Sequence, residues 1–131
     1  MNGFNRNIEQ QALVNENFRH VIYTGRYMQL VVMSLAPGEN IGMEMHGNDQ
    51  FFRFEKGNGK VILDSHEYEV TTGSGVIVPA GCRHNVMNTS STENLKMYTI
   101  YATPHHKDGI EFATKAAASA SDEQFDGVTS E

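Results

Sequence analysis

The feature that most restricts this chain is its punctuation. From His20 onward, short runs rich in β-branched and aromatic residues alternate with turn residues at close intervals. His20–Thr24 is closed by Gly25, and Tyr27–Leu35 by Pro37-Gly38. Further runs follow at Ile41–His46, Gln50–Glu55, Lys60–Asp64, Glu67–Val70, Val76–Pro79, Asn85–Asn88 and Leu95–Ala102. Between them lie Gly47-Asn48-Asp49, Lys56-Gly57-Asn58-Gly59, Asp64-Ser65, Thr72-Gly73-Ser74-Gly75, Ala80-Gly81 and Asn88-Thr89-Ser90-Ser91, all turn formers. Many short strands separated by turn signals indicate an all-β antiparallel sandwich or barrel.

The flanks differ in texture. Residues 1–19 are polar and rich in Asn and Gln, and read as an N-terminal arm with a turn of helix or an edge strand. Residues 20–104 form the β domain, and 105–131 a C-terminal extension. Within the extension, Glu111–Ala120 has the propensity of a short helix, and the acidic, polar Ser121–Glu131 is expected to be mobile. A chain of 131 residues suits one domain with a moderate core. Net charge of −6 and a pI near 5.4 leave no electrostatic footprint for nucleic acid or an anionic membrane. No apolar run approaches the roughly 20 residues that span a bilayer, and the first residues lack a secretory pattern. One cysteine excludes an intrachain disulfide and fits a reducing, cytoplasmic setting.

Four residues carry the chemistry: Glu44, His46, Gln50 and His84. Together they offer two nitrogen and two oxygen donors, a set able to hold a divalent metal. In a strand, residues i and i+2 share a face, so Glu44 and His46 point the same way. Gln50 follows a tight Gly-Asn-Asp turn, which predicts a hairpin placing it opposite that pair. Gln50, Phe52 and Phe54 then share the inner face and give the site an aromatic floor. Pro79 and Gly81 turn the chain so that His84 approaches from a neighbouring strand.

The spacings resemble those of the cupin superfamily, whose two motifs are G-x5-H-x-H-x3–4-E-x6-G and G-x5-P-x-G-x2-H-x3-N. Here the first reads Gly38, five residues, Glu44-Met45-His46, three residues, Gln50, six residues, Gly57. The second reads Gly73, five residues, Pro79-Ala80-Gly81, two residues, His84, three residues, Asn88, with 15 residues between the motifs. The chain looks like a small single-domain cupin of the kind likened to mannose-6-phosphate isomerase. That resemblance implies a double-stranded β-helix, or jelly-roll barrel, with a metal inside it, a small-molecule ligand in the barrel and a homodimer. It departs from the pattern at two ligand places: Glu44 stands for a His, and Gln50 for a Glu. The donor set becomes two imidazoles, one carboxylate and one amide oxygen, which favours Mn, Fe(II), Zn or Ni. His46, His84 and Glu44 also satisfy a two-His-one-carboxylate triad.

Other residues carry weaker signals. Cys82 reads as a small hydrophobe, and His105-His106 after Pro104 as solvated. Asp49 reads as a turn residue facing away from the metal. Met33, Met43, Met45, Met87 and Met97 read mainly as core, with Met43 and Met45 on the outer parity beside Phe51, where they support the dimer. Tyr98 and Tyr101 lie on opposite faces of the last strand, so one of them could supply a phenol to the cavity. The resulting expectation is a metalloenzyme of isomerase or dioxygenase type acting on a small oxygenated metabolite, with Glu44 or a tyrosine moving a proton. The other class is a non-catalytic binder in which Glu44, Gln50 and His46 form only a hydrogen-bonded polar pocket. For a phosphosugar, cations should stand near the mouth; the nearest are Arg53, Arg83 and Lys60, and Arg53 has outward parity.

Overall fold

The computed structural model describes residues 1–131. Nine strands form: β1 (Arg19–Thr24), β2 (Gln29–Leu35), β3 (Asp49–Lys56), β4 (Asn58–Leu63), β5 (His66–Thr71), β6 (Gly75–Val78), β7 (His84–Asn88), β8 (Leu95–Ala102) and β9 (Glu111–Phe112). They make a six-stranded antiparallel sheet in the order β6-β3-β8-β2-β1-β9 and a three-stranded sheet in the order β5-β4-β7. The two sheets close on one apolar interior, the jelly-roll arrangement expected of alternating strands.

Strand alternation decides what lies inside. Along β3, Gln50, Phe52 and Phe54 are buried while Phe51 and Arg53 are only half-buried. The β2 residues Val31, Met33 and Leu35 meet the β8 residues Thr99, Met97 and Leu95 in register, and these join Val61, Val70, Val78 and Val86 in the interior. Burying an aliphatic or aromatic side chain of this size contributes roughly 1.5–3 kcal/mol, so this interior dominates stability. Met33 and Met97 belong to it. Met43 and Met45 do not: both are exposed, because their outward parity leaves nothing to cover them.

The segment Ile41–His46 is not a regular strand. It touches β7 through single bridges at Asn40–Met87 and Glu44–His84, and Gly42, at φ +104°, interrupts it between them. Nor does it form a hairpin with β3. Glu44 is hydrogen-bonded to His84 in both directions at 2.8 Å, whereas Gln50 pairs with Val78 and Tyr101 in the other sheet. Gln50 and the Glu44–His46 pair therefore meet across the barrel rather than along one ribbon.

The flanks are built into the fold. Helix α1 (Ile8–Val14) is capped by Asn7, whose side chain accepts from Gln10 N at 3.0 Å, and lies on the outer face of β8, β2 and β3 through the buried Ala12. Lys96, on that same outer face, bonds Asn15 O and Glu16 Oε1. The expected helix over Glu111–Ala120 divides: its start pairs with β1 as β9, and only α2 (Lys115–Ser119) is helical. The end of the chain is stitched back, with Phe125 N bonded to His105 O, Ser130 N to Thr24 O, and the Glu131 carboxylate accepting from Asn2 N, Gly3 N and Tyr23 OH. No helix is long and apolar enough to cross a membrane.

Candidate metal centre

His84 opens β7 immediately after the turn at Pro79–Cys82, closed by Cys82 N to Pro79 O and relying on Gly81 at φ +84°. That turn is anchored by Gly81 N to His46 O at 2.9 Å and by Ala80 N to the Asp49 carboxylate at 2.8 Å. Asp49 thus faces away from the site, as its parity requires, and caps the Pro79–Gly81 turn rather than its own. The His84 ring is buried, with Nδ1 2.9 Å from Cys82 O. A carbonyl can only accept, so Nδ1 carries the proton and Nε2 presents its lone pair. That Nε2 is buried and has no hydrogen-bond partner; the nearest acid oxygen, on Glu44, is 4.0 Å away. An orphaned, oriented imidazole nitrogen in the interior calls for a cation.

His46 points to the same place. Its ring lies edge-on to His84 at 4.9 Å, with Nδ1 3.2 Å from Asn48 O and Nε2 3.0 Å from Gln50 Oε1. Gln50 Nε2 donates to Thr99 Oγ1 at 2.9 Å, which turns its oxygen toward His46. Both ring nitrogens therefore face oxygen acceptors, and a neutral imidazole has one N–H to serve them. Protonation is the costly answer: burial lowers the His46 pKa, His84 adds to this, and Gln50, Glu44 and Asn48 only partly oppose it. A divalent ion held by His46 and Gln50 would resolve the conflict. Ligand atoms of Glu44, His46 and His84 all fall within 4.8 Å of one another. Glu44, with its side chain 34% exposed, opens toward solvent, whereas His84 does not.

The β8 tyrosines separate by face. Tyr101 is buried beside Gln50, whereas Tyr98 is on the outer face with its ring 6.3 Å from Phe51, so Tyr98 is no candidate for the cavity. Burial pushes the Tyr101 phenol far above its ordinary range, keeping it protonated.

His105 and His106 are not solvated. His105 stacks on Tyr101 at 5.2 Å and lies 4.7 Å from the His46 ring; burial, then His106 and His46, depress its pKa to about 4. His106 is buried, with Nδ1 2.7 Å from Glu123 Oε1 and Nε2 3.2 Å from Tyr101 OH. With Nδ1–H donated to the carboxylate, Nε2 accepts from the tyrosine hydroxyl. The buried Gln29 holds this loop inward: its Oε1 accepts from His105 N and His106 N, and its Nε2 donates to His106 O and Thr24 Oγ1. The signal available for this in the sequence is Gln29 itself, one amide at the start of the apolar run Leu30–Met33. Cys82 plays no ligand part; burial and Asp64 raise its pKa, which keeps the thiol protonated.

Comparison with known proteins agrees with this geometry. The family described as Cupin domain matches residues 31–101. The Bacillus subtilis protein YrkC is 42% identical over 124 residues, covering 89% of this chain and 66% of its own length. Protein L612 of Acanthamoeba polyphaga mimivirus is 39% identical over 107 residues, covering 79% of this chain and 67% of its own. The chain thus spans about two thirds of each of these curated relatives. The crystal structure of a Bacillus halodurans protein, BH2720, superposes with a TM-score of 0.89 at 39% identity, over 92% of this chain and 96% of that one.

Proposed function

The chain belongs to the cupin family, and on that premise we propose that it is a metal-dependent enzyme acting on a small oxygenated metabolite, by isomerase- or dioxygenase-type chemistry. The observation that carries this reading is His84 Nε2, buried and unpartnered among Glu44, His46 and Gln50. A purely hydrogen-bonded polar pocket accounts for the His46–Gln50 contact but leaves that nitrogen unserved. Glu44, His46, Gln50 and His84 would hold a divalent ion, drawn by the donor set from Mn, Fe(II), Zn or Ni. Such an ion supplies Lewis-acid polarisation of a substrate oxygen.

The chain's own groups do the rest. Glu44, half-open to solvent, is placed to take or return a proton at the rim. Tyr101 lines the interior with its hydroxyl held by His106, whose tautomer Glu123 sets. Phe52 and Phe54 close the floor and exclude water. A phosphosugar substrate finds no support at the cations considered above: Arg53 faces outward beside Glu55 at 3.1 Å, and Lys60 pairs with Glu67 at 3.3 Å. A reducing, cytoplasmic setting is part of this proposal, and the single free thiol is compatible with it.

The test is elemental analysis of protein purified without added metal, alongside His46→Ala, His84→Ala and Glu44→Ala. Wild type should hold close to one divalent ion per chain, and each variant markedly less at unchanged secondary structure. Equal, sub-stoichiometric metal in all four proteins would refute the metal centre.

A further inference from the structure

One cation inside the barrel is unaccounted for by the metal centre. Arg19 opens β1, paired directly with Met33, while Val21 pairs with Val31. Directly paired residues present their side chains to the same face, and Met33, Val21 and Val31 all belong to the interior cluster. Arg19 therefore points inward, and it is only 8% exposed. Its Nε is buried with no hydrogen-bond partner, and Arg19 takes part in none of the protein's ion pairs. The Phe18 ring, 5.3 Å from Cζ, faces the guanidinium plane but cannot serve its N–H edge.

The surroundings show where that edge looks. The Arg19 charge is felt at Tyr101, where it opposes the rise that burial causes, and adds weakly to the lowered pKa values of His105 and Glu123. Arg19 begins in the row of Met33, Met97 and Phe54, and Gln50 stands two rows further along. An arginine extended toward Gln50 would cover about one such row of roughly 7 Å, leaving a gap that a small ligand would span to reach the histidines. Glu123 is not its partner: no hydrogen bond or ion pair joins the two, and the carboxylate is engaged by His106 Nδ1 and Lys107 N. A guanidinium this enclosed, with Nε unserved and its terminal nitrogens making no hydrogen bond to the protein, has donors free for a ligand.

We infer that Arg19 is the anion-binding group of the barrel interior, and that the molecule it holds is a small carboxylate whose other oxygen functions reach toward Glu44, His46 and His84. The orientation of the substrate rests on the metal-centre reading; the anion site itself does not. A carboxylate fits better than a phosphate. One planar guanidinium matches a monoanion in a two-point fork, and the nearby carboxylates of Glu123 and Glu44 disfavour a dianion. Arg19 also supplies the cavity cation that Arg53, Arg83 and Lys60 do not.

The test is calorimetric titration of the full chain, metal-loaded and again after chelation, with acetate, pyruvate and succinate, and with inorganic phosphate and methyl pyruvate as controls. Wild type should bind at least one of the carboxylates and should bind methyl pyruvate weakly or not at all. Arg19→Met should weaken carboxylate binding at least ~10-fold, as expected for loss of a charge-assisted pair. Arg19→Lys, which keeps the charge without the fork, should fall between. Metal content should be the same in all three proteins. Persistence of Arg19-dependent binding in chelated protein, with no metal held by wild type, would sink the metal centre and leave this inference standing. Unchanged carboxylate affinity in Arg19→Met, no carboxylate binding by wild type, or Arg19-dependent binding of phosphate in preference to carboxylate would each overturn it.

Discussion

The Glu123–His106 contact links the C-terminal extension to the barrel interior, and Glu123→Gln tests how much it holds. Both side chains are nearly enclosed, 10% and 7% exposed. The carboxylate receives two donors, His106 Nδ1 at 2.7 Å and Lys107 N at 2.8 Å. Glutamine offers one oxygen and turns an NH2 toward the other donor, so one charged hydrogen bond is lost and a buried N–H is stranded. That costs about 1.5–3 kcal/mol, or about 5–12 °C in melting temperature for a chain of this size. The pH dependence follows from the same contact. Burial acts to raise the Glu123 pKa, but the hydrogen bonds from His106 and Lys107 outweigh it, and the net shift is downward. A carboxyl lower in the folded than in the unfolded state binds more protons unfolded. Its stabilisation is therefore complete above the ordinary carboxylate range and is lost as pH falls through the folded value. Calorimetric melting at pH 7 and at stepwise lower pH should show a gap between wild type and Glu123→Gln that narrows below about pH 4.5. A variant melting with wild type at pH 7, or a gap that widens in acid, would refute the reasoning.

Three further outcomes are expected. Gly59→Ala should lower stability by about 1–3 kcal/mol in urea unfolding, because its Cβ would lie 2.6 Å from Met87 O and 2.8 Å from Leu95 Cδ2. Tyr101→Phe should cost about 1–3 kcal/mol by stranding His106 Nε2, while metal content stays at the wild-type level. We propose that the apolar outer row of the six-stranded sheet, where the 68%-exposed Ile77 pairs with Phe51 and Phe51 with Ile100, is a homodimer contact. In sedimentation velocity wild type should then run as a dimer and Ile77→Lys as a monomer; a monomeric wild type would discard the contact.

Much of the scaffold was legible in the residues taken alone. Alternation in Gln50–Phe54 set Gln50, Phe52 and Phe54 on one face and Phe51 and Arg53 on the other, because side-chain parity in a strand is a local property. The motif glycines mark turns for the same kind of reason: Gly81 needs its positive φ whatever the chain does elsewhere. The grouping of Glu44, His46 and His84 was what the resemblance of the two motifs implied, and the fold brings the three together.

What only the tertiary structure decided lies wherever two distant segments choose each other. Gln50 meets His46 across the barrel because β3 pairs with β6 and β8, and the Glu44 segment with β7; a short turn between them suggested a hairpin that this pairing forbids. Tyr101 rather than Tyr98 faces the cavity because β8 is buried between β2 and β3 in one register, and parity separates two faces without saying which is inner. Arg19 and His106 read as polar residues of an arm and a tail. The register of β1 on β2 turns the first inward, and Gln29 draws the second in. Local sequence specifies faces and turns because those depend on a few neighbouring dihedrals. Which face is buried, and which charges it encloses, depends on long-range pairing that no short window contains.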